Sequence, residues 1–464
     1  MMTIAYERYH IPLKNVAGRA PRIPEFEISR ADNCVNCGRC ERACIYGVHE
    51  RSGTDPREMA DPINRFCKNC FRCIAECPQG ALTMSEGEEY ASLGRGVWTS
   101  NRMSTIWGEA ETGKIPVFGA GYRGMFAGDG YDSMWTDMSE IVRPTRDGIH
   151  GREFISTSAD IGRIPSFLEF LPSGEIATNM PPLFEIPIPM VLDATRTSVL
   201  PENVEDGIAI AAKALRTLVF VPLDRTSRAA REGCEGCVVP VVPAHTEPSS
   251  LRLPDGVRMV EVVVDGSWRD EMEALTATFE DKVVSVRIRA ERGVEETILD
   301  MLDMGVAVAN VEYSDDGMEY GDDGRHAMES LRAIHAKLVS AARRDEMTIM
   351  AGGGLAAAEH VPKSIICGAD VVCLDKSLLI ALECRNCIDC DPVSCPVDVS
   401  SASPSWVSDR ISNLVGAWRD QLLEVLGAMG LREARRLRGE FGRAIFFEDL
   451  ERDFTSSLDG GERT

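Results

Sequence analysis

The sequence has no apolar run that approaches the ~18–20 residues a membrane-spanning helix needs. Its first residues, MMTIAYERYHIPLKNV, also lack the apolar core of a signal peptide, so the expected location is the cytoplasm. Positive charge is in short supply: 50 Lys plus Arg stand against 73 Asp plus Glu, a net charge of −23. That balance excludes nucleic acid and an anionic membrane surface as expected partners. Histidine is scarce, and none of the seven sits at metal-ligand spacing to another. His150, in DGIHGRE, reads as a solvated or core residue rather than a catalytic one. A hydrophobic content of 44% over 464 residues is ordinary for a globular chain of two or three domains.

Cysteine is the opposite case, with sixteen in the chain. A cytosolic protein keeps its thiols reduced, so disulfides are a poor explanation and the clustering carries the information. Cys34, Cys37, Cys40 and Cys44 form C-x2-C-x2-C-x3-C, and Cys67, Cys70, Cys73 and Cys77 repeat that spacing and end in Cys77-Pro78. Two residues between thiolates let a tight loop wrap three corners of an iron–sulfur cube, the fourth ligand coming from the other quartet. The expected sets are therefore Cys34, Cys37, Cys40 and Cys77 for one [4Fe–4S] cluster, and Cys67, Cys70, Cys73 and Cys44 for the other. The alternative is a pair of zinc sites, which usually show two C-x2-C pairs rather than two evenly spaced quartets. Gly47 and Gly80, three residues past each fourth cysteine, suit tight exit turns. Residues 28–86 resemble a bacterial dicluster ferredoxin, with an α+β fold, and the resemblance implies electron transfer.

Residues 87–183 read as a connecting arm. GAGYRGMFAGDG at 119–130 has a strand-like lead but no clear helix after it, so dinucleotide binding is not expected there. From residue 187 short Val- and Ile-rich runs alternate with helical patterns. Strands are expected at 187–193, 217–222, 238–243, 258–264, 283–289, 306–312, 347–351 and 370–374, with helices at 204–215 and 325–343. Little in TSRAAREGCEGC or HTEPSSLRLPDG demands a helix in the second and third gaps. Eight such strands predict an α/β class and a (βα)8 TIM-like barrel over 184–400. Gly352, Gly353 and Gly354 end the seventh strand, where backbone N–H groups can cradle a phosphate, and Gly368-Ala369-Asp370 turns into the eighth. A glycine turn required only by geometry is the other reading.

GGGL, GAD, and an apolar strand and helix running into ALEC resemble the FMN-binding synthase domain of glutamate synthases. In that family the last strand leads to a C-x5-C-x4-C-P segment holding an iron–sulfur cluster beside the flavin, and Cys384, Cys390 and Cys395-Pro396 match that spacing. Residues 136–163 are similar to the lead-in of the small archaeal-type members, which carry an N-terminal ferredoxin module. The resemblance implies an FMN-dependent, oxygen-sensitive oxidoreductase of anaerobic character. Its electrons would pass from the ferredoxin-type clusters through a third cluster to FMN and an acceptor such as 2-iminoglutarate. Arg287 stands where the family has lysine, and a cation there could stabilise the reduced flavin. Lys376 would sit at the phosphate, next to Asp375, which would repel it. The implied partners are a ferredoxin-like donor or a redox-complex subunit and a separate glutaminase, since the thirty-odd residues before the first quartet supply no such domain. An oligomer is compatible with the sequence.

Two departures stand out. VEYSDDGMEYGDDG at 311–324 replaces the family's glycine-rich substrate loop, and its aspartates are poor hosts for 2-oxoglutarate. Cys387 adds a fourth thiolate to the C-terminal segment, favouring [4Fe–4S] there over [3Fe–4S]. The rival function is a non-catalytic electron-transfer subunit of a larger redox complex that has lost the substrate pocket and FMN. Cys234 and Cys237 form an isolated C-x2-C, read as half a metal site, a redox pair or two small buried side chains, the last being favoured. Residues 401–464 are expected as a helical tail, with one helix from Trp406 to Met429, then a mixed-charge helix pair.

Overall fold

A computed structural model describes residues 9–115, 128–137, 154–165, 167–178, 180–196, 200–247, 251–264, 278–387, 395 and 397–459. Residues 9–25 form a lead without helix or strand. Strands β1 (Phe26–Arg30) and β2 (Leu82–Glu86) then pair antiparallel around two short helices, α1 (Arg39–Ala43) and α2 (Arg72–Ala75). The apolar interior of this unit is small: Ile28, Val48, Met59 and Leu82 beside the buried Cys40 and Cys73. So few side chains remove little area from water, and cysteines supply the rest of the interior. Gly47 and Gly80 turn the chain at φ 70° and 56°.

The expected connecting arm is an ordered bracket where it is described. Helix α3 (Glu88–Ala91) and the hairpin of β3 (Gly94–Arg95) with β4 (Trp98–Thr99) lead into α4 (Ser100–Thr112), whose first turn is capped by the Thr99 side chain. Strand β5 (Met134–Thr136) follows, and then β6 (Ala159–Gly162) and β7 (Leu183–Ile186) pair antiparallel. Ala159, Ile161 and Ile186 of that pair pack with Val191, Phe220, Met259 and Val308, stoppering the N-terminal end of the barrel.

All eight expected barrel strands form, each bounded within a few residues of the sequence reading. They are β8 (Met190–Asp193), β9 (Val219–Pro222), β10 (Val238–Val242), β11 (Met259–Val263), β12 (Val283–Arg289), β13 (Val308–Glu312), β14 (Thr348–Gly352) and β15 (Val371–Leu374). They pair in parallel in chain order, and β15 returns to β8 to close the barrel. Buried on both faces, such strands read as unbroken Val and Ile runs, which is why the sequence located them.

Helix α5 (Glu202–Leu215) buries Val204, Ile208, Ala212 and Leu215 and lies within one residue turn of its expected start. In the second gap, where little called for a helix, TSRAARE forms α6 (Thr226–Glu232). Arg225 and Arg228 pair with Glu205 and Asp206 of α5, so a tertiary contact supplies what the local pattern lacks. Helices α7 (Val294–Asp303), α8 (Ala327–Ser340), α9 (His360–Cys367) and α10 (Lys376–Ala381) follow β12, β13, β14 and β15 in turn.

The tail is only partly as expected. α11 (Pro404–Met429) begins with proline after the capping Ser403 and packs along α5 and α4. The next stretch is not a helix pair. Gly439, at φ 71° and bonded through its N–H to the Ile365 carbonyl, interrupts it. Strand β16 (Ala444–Phe446) pairs with β5, and one helix, α12 (Phe447–Asp459), ends the described chain. Among the described residues no helix is long and apolar enough to cross a membrane.

Candidate functional site

The two cysteine loops are the same turn made twice. Asn36 and Asn69 both have φ 53°, and Gly38 and Phe71, left-handed at φ 69° and 57°, precede α1 and α2. An aromatic residue held at positive φ is strained, so the thiol arrangement is imposed on the backbone rather than chosen by it. Cys40 and Cys73 enter the first turns of α1 and α2 and are buried. Cys44 Sγ accepts the Val48 N–H at 3.5 Å, and Cys77 Sγ accepts that of Ala81 at 3.3 Å, the same offset in each half. Backbone N–H groups of Ala81, Gln79 and Leu82, outweighing burial, hold the Cys77 thiol below its ordinary value.

The thiols also mix between quartets. Burial, and then the neighbouring Cys67, Cys44 and Cys70, push the Cys73 thiol up to about 11. Cys44, Cys67, Cys70 and Cys73 line one small chamber with Ile28, Val48 and Met84. In the other half Cys34 acts on Cys40, and Cys37 is exposed, as its counterpart Cys70 is in the first. Among the described residues no three His, Cys, Asp or Glu side chains converge on a single metal ion.

Of the C-terminal cysteines, Cys384 and Cys395 are partly buried and Cys387 is exposed, while Cys390 lies outside the described residues. Cys384 follows α10, and its Sγ accepts the Asn386 N–H at 3.5 Å. The segment is fixed by the N-terminal lead. Glu383 accepts the N–H groups of Arg19 and Ala20, each at 2.9 Å, and the Arg19 guanidinium reaches the Asp398 carbonyl at 2.9 Å and Ser401 Oγ at 2.7 Å. Buried Arg410 of α11 joins the same assembly, donating to the Ala381 carbonyl at 2.6 Å and that of Val16 at 3.3 Å.

The barrel mouth differs from the sequence expectation. Arg287 does not point free toward a ligand: it donates to Glu261 Oε1 at 2.6 Å, Asp193 Oδ2 at 2.7 Å and Thr195 Oγ1 at 2.8 Å. Asn310 Nδ2 donates to Glu261 Oε2 at 2.7 Å. Arg196 pairs with Asp193 at 3.2 Å, Asp375 at 3.5 Å and Glu312 at 3.9 Å. Burial opposes the charge of Arg287, but Asp193 and Glu261 outweigh it and hold the guanidinium protonated, whereas burial pushes the Glu261 carboxyl up against the pull of Arg287. These arginines thus already face more carboxylates than they neutralise. An added phosphate or dicarboxylate would bring further like charge.

The glycine turn is present but filled. A Cβ on Gly353 would lie 2.5 Å from the Tyr313 carbonyl, and one on Gly354 2.6 Å from Gly317 Cα, so the 313–317 loop lies directly against the turn. Gly352 faces Arg196 Nη1 in the same way. Asp375 caps α10, accepting the Lys376 N–H at 2.6 Å, and Lys376 Nζ is committed to Asp315 Oδ2 at 2.6 Å. The β3–β4 hairpin holds the loop from outside, with Trp98 Nε1 donating to the Asp315 carbonyl at 2.9 Å. Gly368 belongs to neither phosphate nor mouth. It ends α9 at the opposite end of β15, its carbonyl taken by Arg344 at 2.8 Å, because the turn that precedes a strand lies at the barrel floor.

Cys234 and Cys237 are joined as a disulfide, in place of the two small buried side chains favoured from the sequence, and among the described residues no other cysteines are so joined. They sit just before β10 at the floor, Cys237 buried and Cys234 partly exposed. His150, most of 119–130 and residues 138–153 lie outside the described residues. The sequence reading missed Asp193, Glu261, Asn310 and Arg196. A charged residue inside an otherwise apolar strand, as in MVEVV and VANVE, was the available signal.

A family model described as a conserved region in glutamate synthase matches residues 266–432. The chain is 25% identical to an archaeal glutamate synthase [NADPH] of Archaeoglobus fulgidus, covering 95% of this chain and 98% of the relative. It is 22% identical to an archaeal-type glutamate synthase [NADPH] of Dehalococcoides mccartyi, over 88% and 92% of the two chains. Among solved structures it is similar to mandelate oxidase with benzoyl-formic acid, at TM-score 0.41 and 14% identity, covering 66% of this chain and 97% of the other. A mutant flavocytochrome b2 with benzoylformate matches at TM-score 0.43 and 14% identity, covering 71% and 86%.

Proposed function

Because the chain belongs to the glutamate synthase family and is an oxidoreductase of that kind, we propose that it conducts electrons through three iron–sulfur groups. One is held by Cys34, Cys37, Cys40 and Cys77, one by Cys44, Cys67, Cys70 and Cys73, and the third by Cys384, Cys387, Cys390 and Cys395. Such clusters supply one-electron transfer when bound. The chain's own part is to fix thiolate positions, through the paired left-handed turns, and to donate N–H groups to sulfur at Cys44 and Cys77. The observation that carries the reading is the chamber shared by Cys44 with Cys67, Cys70 and Cys73, a set drawn from both quartets.

FMN and 2-iminoglutarate are implied by the resemblance, and the mouth as described does not fit the phosphate of the one or the carboxylates of the other. The 313–317 loop lies against the glycine turn, Lys376 is paired with Asp315, and Arg287 with Asp193 and Glu261. These paired cations are what a second reading rests on, an electron-transfer subunit whose partner completes the reaction. A ferredoxin-like donor fits both readings. Anaerobically purified protein, assayed for iron, sulfide and flavin, separates them. About twelve iron atoms per chain support the three-group reading. One FMN per chain would overturn the second reading, whereas iron without flavin supports it. Fewer than about eight irons sinks the electron-carrying proposal itself.

A further inference from the structure

Three parts of the chain enclose a cavity of about 520 Å³. One wall is Arg65, Cys67 and Lys68; another is the 17–23 lead with Trp107 of α4; the third is Glu383 and Arg385, which flank Cys384. Cys67 also lines the chamber that it shares with Cys44, Cys70 and Cys73, so it stands between the chamber and the cavity. Cys34, Cys37, Cys40 and Cys77 line neither.

The mounting of the N-terminal unit points the same way. Its entry, the lead before β1, is clamped at both ends of the C-terminal cysteine segment, by Glu383 on one side and by Asp398 and Ser401 on the other. Its exit is held too: Arg385 Nη1 donates to Glu89 Oε1 of α3 at 2.5 Å, just past β2. With entry and exit both tied to one segment, the unit is held with its Cys67 side toward that segment. Electron tunnelling falls steeply with distance, so the nearer group dominates the route.

We infer that Cys44, Cys67, Cys70 and Cys73 hold the inner cluster, which passes electrons across this cavity to the group at Cys384. Cys34, Cys37, Cys40 and Cys77 hold the outer one, which takes them from a one-electron donor protein. Each transfer moves one electron from a reduced cluster to an oxidised one, and no covalent bond forms or breaks. The order rests on the three-group reading, and the iron count tests that reading separately: protein without a third group fails it whatever the order.

With all three groups loaded, redox titrations followed by electron paramagnetic resonance read the order directly. The signal lost in Cys384→Ser identifies the C-terminal group, and Cys387→Ala at an exposed position makes the same assignment if the first variant does not accumulate. Lys68→Glu and Arg39→Glu then reverse exposed charges beside Cys67 and Cys40 while leaving every cysteine in place. The expected result is that Lys68→Glu lowers the midpoint of the C-terminal signal and Arg39→Glu leaves it unchanged. An equal shift from both, no shift from Lys68→Glu, or a shift from Arg39→Glu alone overturns the order.

Discussion

Arg287 shows how much a single residue's surroundings can change its meaning. Its strand and charge were legible in VVSVRIR, but its partners Glu261 and Asp193 lie 26 and 94 residues away and become neighbours only when the barrel closes. No local pattern could reveal that the cation is spent inside the protein. Replacing it by methionine would leave two buried carboxylates facing each other, and Arg287→Met should lose about 3–5 kcal/mol of stability in chemical denaturation. A change below about 1 kcal/mol would mean that the network is solvated. The disulfide gives a second residue-scale expectation. Without reductant Cys234 and Cys237 should resist alkylation; after reduction Cys234 should label well ahead of Cys237, which is only 6% exposed, as read by mass spectrometry.

At the scale of elements, helix α4 buries a carboxyl where it meets α11. Glu109 is fully buried and accepts the Trp418 indole N–H at 2.9 Å. Burial, against that hydrogen bond, raises its carboxyl from 4.5 to about 8. The folded state thus binds this proton more tightly than the unfolded chain does. Its stabilising share is complete below pH 4.5 and is lost as pH rises toward 8. Glu109→Gln, which can still accept the indole proton, should remove that slope, with a gain on the order of a few kcal/mol near pH 8. Denaturation midpoints measured across that range would refute the assignment if wild type and variant ran parallel. Elements were legible where burial made them periodic or uniformly apolar, as in the eight strands, α5 and α11. They were not legible where a tertiary contact decided the matter. The ion pairs from α6 to α5 made a helix of TSRAARE, and Gly439 bonded to Ile365 broke one in the tail. The cysteine loops stand out in the sequence for a different reason: cysteine spacing is a local pattern, whereas the ions that fill the barrel mouth come from separate strands.

The whole molecule divides into a barrel with a large apolar interior and a cysteine unit with almost none. Iron should therefore be part of the fold of residues 26–86 rather than a passenger. Stripping it by oxidation and chelation should open that unit to proteases while the barrel keeps most of its circular dichroism; a unit that stays resistant without iron would contradict this. The lead that mounts the unit has a further consequence, in time rather than space. Arg19 waits for Glu383, 364 residues later, and Lys14 for Asn413, 399 later. At ~5–20 residues per second the seat follows its occupant by roughly 20–80 s of synthesis. The cysteine unit thus leaves the ribosome complete and undocked, and the proposed clusters would have that interval to be loaded before the barrel's own segment arrives to cover the Cys67 side.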